Sequence, residues 1–237
     1  TIKELKAILA SEEKVLGIIR EELIEIKEKY NDDRRTEIQI GAVDFFEDED
    51  LIPEENIIIT LTHKGYIKRI AASTYRTQHR GGRGIQGMET NEDDFVEHLL
   101  STSTHDTILF FTNKGKVYRL KGYEIPEFGR TAKGLPIINI LQIDQDEAIN
   151  TVIAVRDYEM DEDYLFFTTK HGLAKRVRLS EFNNIRKSGL IAIRLRDDDE
   201  LISVRLTDGT KDIGIATKHG YFIRFDENVV RPMGRNA

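Results

Sequence analysis

The 237-residue sequence contains no cysteine and no tryptophan. Without cysteine the chain can form neither disulfide bonds nor a thiolate metal site, and a reducing cytoplasm is its natural setting. No apolar run is long enough to cross a bilayer, and the charged, amphipathic start (TIKELKAILA) is unlike a signal peptide. These absences predict a cytoplasmic chain with no membrane partner. An initiator methionine and an evident terminating element are also missing, so we interpret the sequence as a fragment.

Acidic residues are in excess overall, with a net charge of −7, but the excess is local. Residues 1–59 contain 8 Lys and Arg against 17 Asp and Glu, whereas residues 60–134 contain 12 against 8. Residues 135–237 are nearly balanced, at 15 against 17. A polyanion responds to the local distribution of charge rather than to the net charge. The basic excess in residues 60–134 is therefore compatible with nucleic acid as a partner.

Candidates for catalysis are few. The six histidines have no spacing typical of metal ligands, and no nucleophile stands with a recognisable base. The acidic clusters at 93–94 and 197–199 are typical of loop charges. The sequence therefore predicts no catalytic residue, no metal site and no cofactor in this chain.

Residues 1–35 are predicted to be helical. Their apolar residues recur at steps of three, four and seven, which places them on one helical face. Ser11 followed by two glutamates predicts an N-cap, and hence a break near residue 10. Residues 36–56 are predicted to form an acidic linker and a first strand. The apolar face consists of Leu5, Leu9, Leu16, Ile19, Leu23, Ile26 and Tyr30.

A repeat begins after residue 56. ITLTHKGYIKRI (59–70), LFFTNKGKVYRL (109–120), LFFTTKHGLAKRV (165–177) and IGIATKHGYFIRF (213–225) share T-x-x-G-x-x-x-R followed by an apolar residue. An alternating apolar run, a polar turn and a glycine suited to positive φ are typical of a β-hairpin. Further strand-like runs precede the later hairpins, at 95–100, 149–155 and 201–206. The repeated residues are Thr62, Gly65 and Arg69; Thr112, Gly115 and Arg119; Thr169, Gly172 and Arg176; and Thr217, Gly220 and Arg224.

Each unit thus comprises about four strands, which cannot bury both faces of a sheet alone. For residues 57–237 we predict a mainly β fold, a propeller-like arrangement of stacked four-stranded blades in which about four repeats are present. An N-terminal α-helical segment precedes it. Cations recur with the hairpins and are predicted to form a basic rim. They are Lys64, Lys68, Arg69, Lys114, Lys116, Arg119, Lys133, Lys170, Arg176, Lys218 and Arg224.

The stretch QHRGGRGIQG (78–87) contains two motifs. Gly82, Gly84 and Gly87 have the G-x-G-x-x-G spacing of a dinucleotide-binding loop, but the residues before them are polar and basic rather than a buried parallel strand. A plain glycine-rich surface turn is a second interpretation. The third is a phosphate-binding loop, because glycines let backbone N–H groups approach phosphate oxygens while Arg80 and Arg83 supply charge and donors.

QHRGGRG, the repeated hairpins and the helical prefix together resemble the A subunit of bacterial DNA gyrase, specifically its C-terminal β-pinwheel domain. The signature of that family is the gyrase A box, Q-R-R-G-G-K-G, from which this sequence differs at two positions. YEIPE and RTAKGLPI are also similar to the family, and residues 11–38 resemble the end of the coiled-coil segment of its breakage-and-reunion domain. The box residues are Gln78, His79, Arg80, Gly81, Gly82, Arg83 and Gly84.

The resemblance implies a module that binds double-stranded DNA through the box and the basic rim and wraps it. In the family, the wrap lets a type II topoisomerase introduce negative supercoils with ATP hydrolysis. ATP and Mg²⁺ would be bound by the partner B subunit, in an A2B2 assembly at the bacterial nucleoid. The family's catalytic tyrosine follows an arginine, and no Arg-Tyr pair occurs here, so the resemblance also implies no catalytic residue in this chain.

Two alternatives stay open from the sequence. One is a topoisomerase IV-type domain that binds DNA without a full wrap, and the other is a propeller-like protein-interaction scaffold. Because the family usually carries five or six repeats, we expect the β domain to be incomplete at its C-terminal end.

Overall fold

The computed structural model describes residues 2–32, 48–75, 87–156 and 163–236. The chain divides into two compact units, Thr1–Phe46 and Glu47–Ala237. The first unit contains two helices, α1 (Ile2–Leu9) and α2 (Glu12–Tyr30), so the predicted break near residue 10 is confirmed. Ser11 stands at the N-cap of α2 with an extended backbone. Among the described residues, no helix has the length and apolar character needed to span a membrane.

The second unit consists of antiparallel strands, and the mainly β class is confirmed. Each repeat supplies one hairpin, and the first three repeats each supply a longer third strand. The hairpins are β1–β2 (Asn56–Thr62, Tyr66–Ala71), β4–β5 (Thr107–Thr112, Lys116–Lys121), β8–β9 (Tyr164–Thr169, Ala174–Arg178) and β12–β13 (Asp212–Ala216, Phe222–Asp226). The other strands are β3 (Val96–Ser103), β6 (Leu135–Pro136), β7 (Ile149–Val155), β10 (Leu190–Ile191) and β11 (Leu201–Thr207).

The repeated Thr-x-x-Gly explains how each hairpin turns. In the second repeat Gly115 has a φ of +76°, and its N–H donates to the Thr112 carbonyl at 3.0 Å. The Thr112 hydroxyl oxygen accepts the N–H of Lys116 at 3.3 Å, so one threonine closes the turn from both its backbone and its side chain. The other three repeats have the same two bonds and the same positive φ. The glycine is required because a left-handed backbone disfavours any Cβ.

Short strands pass between consecutive repeats. β6 follows β5 in the chain but pairs with β2, which gives a first sheet of order β3-β1-β2-β6. In the same way β10 follows β9 but pairs with β5, giving the order β10-β5-β4-β7. We call β6 and β10 the exchange strands. They are not predicted from the sequence, because two residues are too few to show an alternating pattern.

The sheet of the second repeat is buried on both faces. Successive residues of β4 point to opposite faces. Leu109 and Phe111 pack with third-repeat residues such as Phe167, whereas Ile108 and Phe110 pack with first-repeat residues such as Ile57. All six residues of β4 are buried. The prediction that neighbouring repeats must cover one another's sheets is therefore confirmed for this repeat.

Two turn glycines offer a matched test of this packing. Gly115 and Gly172 have the same positive φ, but a Cβ on Gly115 would lie 2.6 Å from the Ile193 carbonyl oxygen, whereas a Cβ on Gly172 would meet nothing within 4 Å. Gly172→Ala should lower the free energy of unfolding by roughly 1–2 kcal/mol, from the backbone alone. Gly115→Ala should lower the free energy of unfolding by at least about 1 kcal/mol more than Gly172→Ala does, because the added methyl group overpacks against the segment that follows β10. Urea unfolding measures both, and equal losses would contradict the proposed contact between repeats.

Candidate nucleic-acid interface

The box lies outside the described residues. Gln78, His79, Arg80, Gly81, Gly82, Arg83 and Gly84 all fall within residues 76–86. The described chain stops at Tyr75, just after β2, and resumes at Gly87. The proposed role of the box in DNA binding therefore stays a prediction, and the surroundings of Gly87 are the nearest described geometry.

The repeated arginines join consecutive repeats. Arg69 Nε donates to the Ile125 carbonyl at 2.6 Å, and Arg119 Nη1 donates to the Asn183 carbonyl at 2.9 Å. Each acceptor lies in the segment that follows the hairpin of the next repeat. Arg176 continues the pattern, since its Nη1 donates to Asn228 Oδ1 at 2.9 Å. A repeated arginine thus has a structural role at each of these three joints.

Arg176 shows this role most strongly, and its assignment to an exposed rim needs correction. Its side chain is 4% exposed and lies 3.3 Å from the fully buried carboxylate of Glu227. The same carboxylate accepts the Thr207 hydroxyl at 2.6 Å and the Lys211 N–H at 2.8 Å. The guanidinium also lies over the Tyr164 ring, 4.4 Å from its centre. A charge held in this way cannot reach a phosphate.

Lys68 also needs correction, because it is fully buried rather than exposed at a rim. Its ammonium donates to the carbonyls of Gly87, Arg130 and Ala132 at 3.0, 2.6 and 2.9 Å. Burial lowers the pKa of Lys68 below its ordinary value. Lys68 is therefore an internal joint between loops and not a direct contact for an external ligand.

Most cations at the hairpin turns are neutralised by acids from later loops. Lys116 contacts Asp144 and Glu147 at 2.8 Å, and these two carboxylates raise its pKa. Lys114 lies 3.4 Å from Asp146, and Lys170 lies 3.2 Å from Glu200. Arg224 pairs with Asp212 across its own hairpin, and Arg69 pairs with Glu127 at 3.3 Å. A paired cation attracts a polyanion less than a free one.

Four exposed cations of the predicted rim make no side-chain ion pair within the described part of the chain. Lys64 Nζ donates to the Glu92 carbonyl at 2.9 Å, and Lys133 Nζ donates to Asn91 Oδ1 at 2.6 Å. Arg119 is exposed and bonds the Asn183 carbonyl noted above. Lys218, in the last hairpin turn, is exposed and makes no ion pair with a described residue.

A second set of cations, which was not predicted from the sequence, lies beside the exchange strand β10. All four are exposed, and none makes an ion pair with any residue that the structure describes. They lie in the loop before β10 and in the segment after it, outside the T-x-x-G pattern on which the prediction relied. They are Arg186, Lys187, Arg194 and Arg196.

A signal in the sequence links these loops to the box. Gly84, Gly134 and Gly189 each end a basic stretch, at spacings of 50 and 55 residues, close to the repeat length. Gly134 and Gly189 have φ near +80°, and each directly precedes an exchange strand. A Cβ on Gly189 would lie 2.7 Å from the Tyr118 ring, so the loop sits close against the second repeat. We call residues 129–134 and 184–189 the exchange loops, and the box is their counterpart in the first repeat.

A cleft with basic walls lies beside the second of these loops. It has a volume of about 670 Å³, and its lining includes Arg119, Lys121, Arg186 and Lys187. The lining also includes Glu124, and Lys121 Nζ contacts Glu49 Oε1 at 2.8 Å. Arg119, Arg186 and Lys187 make no ion pair with a residue in the described ranges.

One aspartate of each acidic cluster accepts backbone N–H groups at a turn. Asp94 accepts the N–H groups of Lys64 and Phe95, and Asp199 accepts those of His171 and Glu200. Burial alone would raise the pKa of Asp94, but these hydrogen bonds lower it. No group of three or more His, Cys, Asp or Glu in the described ranges could hold a metal ion.

Comparisons with known proteins agree with the repeat pattern. The model of the family described as DNA gyrase C-terminal domain, beta-propeller, matches residues 56–103, 106–156, 163–208 and 213–237. The DNA gyrase A protein of Halalkalibacterium halodurans is 66% identical over the whole chain, and the chain spans 28% of that protein's length. The DNA gyrase A protein of Staphylococcus aureus is 57% identical, and the chain spans 27% of it.

Two solved structures share the fold at moderate sequence identity. The C-terminal domain of a DNA topoisomerase IV is 33% identical with a TM-score of 0.67, over 78% of this chain and 56% of that one. A DNA gyrase A C-terminal domain is 30% identical with a TM-score of 0.61, over 77% of this chain and 58% of that one. Because the family model covers most of the chain in register with its four repeats, the chain belongs to the family of DNA gyrase C-terminal β-propeller domains.

Proposed function

We propose that the unit formed by residues 47–237 binds duplex DNA through its backbone and wraps it, as the DNA-wrapping part of a gyrase A protein. The observation that carries the proposal is the set of exposed, unpaired cations beside β10, two of which, Arg186 and Lys187, lie on the exchange loop that is the counterpart of the box. Cations without acidic partners are the ones that gain most from a phosphate, because no existing ion pair has to be broken. Family membership supplies duplex DNA as the polyanion.

The energetics of wrapping suit a surface that recurs with each repeat. Smooth bending of a 20–30 bp site by 40–90° costs on the order of 1–6 kcal/mol. Phosphate contacts offset this cost by releasing counterions, and they do so without reading base sequence. Exchange loops spaced one repeat apart would supply such contacts at intervals along a bent duplex. The lack of tryptophan disfavours the alternative of single strands held by base stacking.

The wider assembly is part of the same proposal. The chain would act within an ATP-dependent type II topoisomerase at the nucleoid, in which two gyrase A proteins combine with two gyrase B proteins. The B proteins would bind ATP and Mg²⁺, and strand cleavage would occur in a part of the A protein upstream of this chain. The role of residues 47–237 would be to set the DNA crossing that strand passage converts into a negative supercoil.

A topoisomerase IV-type domain that binds DNA without a full wrap is the second candidate. It is favoured by one observation, the TM-score of 0.67 to a topoisomerase IV domain beside 0.61 to a gyrase A domain. The curated relatives favour gyrase, because those with 57–66% identity over the chain are named as gyrase A proteins.

Charge-matched double variants test which cations contact DNA. We expect Arg80→Ala with Arg83→Ala, and likewise Arg186→Ala with Lys187→Ala, to weaken binding and to reduce the slope of log affinity against log salt by about 2. Lys114→Ala with Lys170→Ala removes the same charge from paired cations and should change the slope much less. The measurement is energy transfer between dyes at the two ends of a linear duplex, titrated at several salt concentrations.

Three results would count against the proposal in different ways. Equal slopes for all three double variants would contradict the assignment to the box and exchange loops. A larger change of slope in Lys114→Ala with Lys170→Ala would support the basic rim of hairpin-turn cations that the sequence predicts. If the affinity of the unsubstituted chain for duplex DNA does not change with salt concentration, the protein-interaction scaffold is favoured instead.

Ligation of nicked circles separates the two candidate functions. Nicked circular DNA is sealed with the chain bound, the protein is removed, and the linking number is read from topoisomer bands. A wrap of fixed hand predicts a shift in linking number that grows with the amount of chain bound. Binding without a shift would assign the chain to the topoisomerase IV-type behaviour.

A further inference from the structure

A second cleft lies beside the exchange loop of the third repeat. It has a volume of about 680 Å³ and shares Arg119 and Arg186 with the basic cleft described above. Its third cation is Arg235, in the segment that follows β13. The second, third and fourth repeats therefore each contribute one arginine, and we call this the arginine cleft. The other polar side chains of its lining are uncharged, and they are Asn184, Ser188 and Asn236.

The two clefts differ in their acidic residues. Glu124 lines the first cleft, and Glu49 contacts the Lys121 of its lining. Among the residues that the structure describes, no aspartate or glutamate lines the arginine cleft, and none forms an ion pair with its three arginines. The arginine cleft thus has three guanidinium charges without a carboxylate in its walls. Of the two clefts, it is the better site for an anion.

The backbone of Arg235 is held in place, while one donor of its side chain is unused. The Arg235 carbonyl accepts a hydrogen bond from the Lys175 ammonium. Two residues earlier, the N–H of Met233 donates to the Arg176 carbonyl at 2.8 Å. Arg235 Nε is shielded from solvent, yet it has no acceptor among the described residues. A shielded donor without an acceptor costs free energy, and an anion in the cleft would bring acceptor oxygens to this side chain.

A buried lysine adds to the positive charge near Arg235. Lys175 lies in β9 and is 3% exposed. Burial, followed by the charge of Arg235, lowers the pKa of Lys175 to about 8, and the carboxylate of Glu181 opposes this shift without reversing it. The two cations therefore repel each other in the folded chain. An anion bound at Arg235 would reduce this repulsion.

We propose that the arginine cleft binds one phosphate group of the duplex DNA backbone, with Arg119, Arg186 and Arg235 as its donors. Guanidinium groups suit this ligand, because their planar forks present paired N–H donors to phosphate oxygens. The bound phosphate joins three repeats at one point. The inference rests on the proposed function and deepens it, because it adds Arg235 as a contact residue and identifies the cleft that holds a phosphate.

The test compares Arg235→Gln with Arg231→Gln in the 237-residue chain. Both variants remove one positive charge from the segment after β13, but Arg231 is exposed and does not line the cleft. We expect Arg235→Gln to reduce the slope of log duplex affinity against log salt by about 1, and Arg231→Gln to change it much less. Both variants should fold, because the bond from Lys175 uses the backbone carbonyl of Arg235.

Inorganic pyrophosphate gives a second measurement, without DNA. A ligand that binds only the folded chain raises its melting temperature as the ligand concentration increases. We expect this rise in the unsubstituted chain and in Arg231→Gln. In Arg235→Gln the affinity for pyrophosphate should be about tenfold weaker, because one charged hydrogen-bonding group is lost. Sodium chloride at equal ionic strength controls for general screening of charge.

The outcomes separate the arginine cleft from the proposed function. Equal changes of salt slope in the two variants would overturn the inference, and so would equal pyrophosphate affinities or no rise in any chain. The proposed function would then stand, provided that the unsubstituted chain binds duplex DNA in a salt-dependent way. Without such binding the proposed function falls. Pyrophosphate binding weakened in Arg235→Gln alone would then assign the cleft to a free phosphate compound, and would overturn DNA as its ligand.

A conservative variant covers the case in which Arg235→Gln does not fold. Arg235→Lys keeps the positive charge but replaces the planar fork with a single ammonium group. We expect weaker binding of duplex DNA and of pyrophosphate, with little change of salt slope because the charge is kept. Affinities equal to those of the unsubstituted chain would overturn the assignment of Arg235 as a phosphate donor.

Discussion

A sheet with apolar residues on both faces must be covered on both, and the unit formed by residues 47–237 is organised by that requirement. β4 carries Phe110 on one face and Phe111 on the other, so its sheet needs the first and the third repeat at once. The exchange strands and the arginine contacts follow from this, because they are the bonds that hold neighbouring sheets in place. The stability of each repeat therefore depends on the neighbouring repeats that cover its sheet.

The contacts between neighbouring repeats also determine which cations are free to bind a polyanion. Cations near the joints are used inside the protein, as the buried Arg176–Glu227 pair shows. Cations at the hairpin turns meet acids from later loops, as Lys116 meets Asp144. Within the described residues, unpaired cations lie beside the exchange strands, where the chain crosses from one repeat to the next, and Lys64 and Lys218 stay unpaired at two hairpin turns. Structural joints and the proposed DNA-binding loops thus share the same segments, and Lys68 lies at one such meeting point.

Local patterns explain what the sequence could predict. Each Thr-x-x-Gly encodes its own turn, and the periodic apolar residues encode α2, so hairpins and helices followed directly. The exchange strands could not be predicted, because a two-residue strand has no periodicity and its partner belongs to another repeat. The burial of Lys68 was missed because lysine is almost never fully buried unless paired. The pairing of Lys114 was missed because Asp146 is distant in sequence.

We propose that DNA lies against the exchange loops and not against the hairpin turns. Lysine acetylation with and without saturating duplex DNA, measured for each lysine by mass spectrometry, distinguishes the two surfaces. We expect strong protection of Lys133 and Lys187 and little protection of Lys114 and Lys170. Protection of Lys114 and Lys170 with unprotected exchange-loop lysines would contradict it.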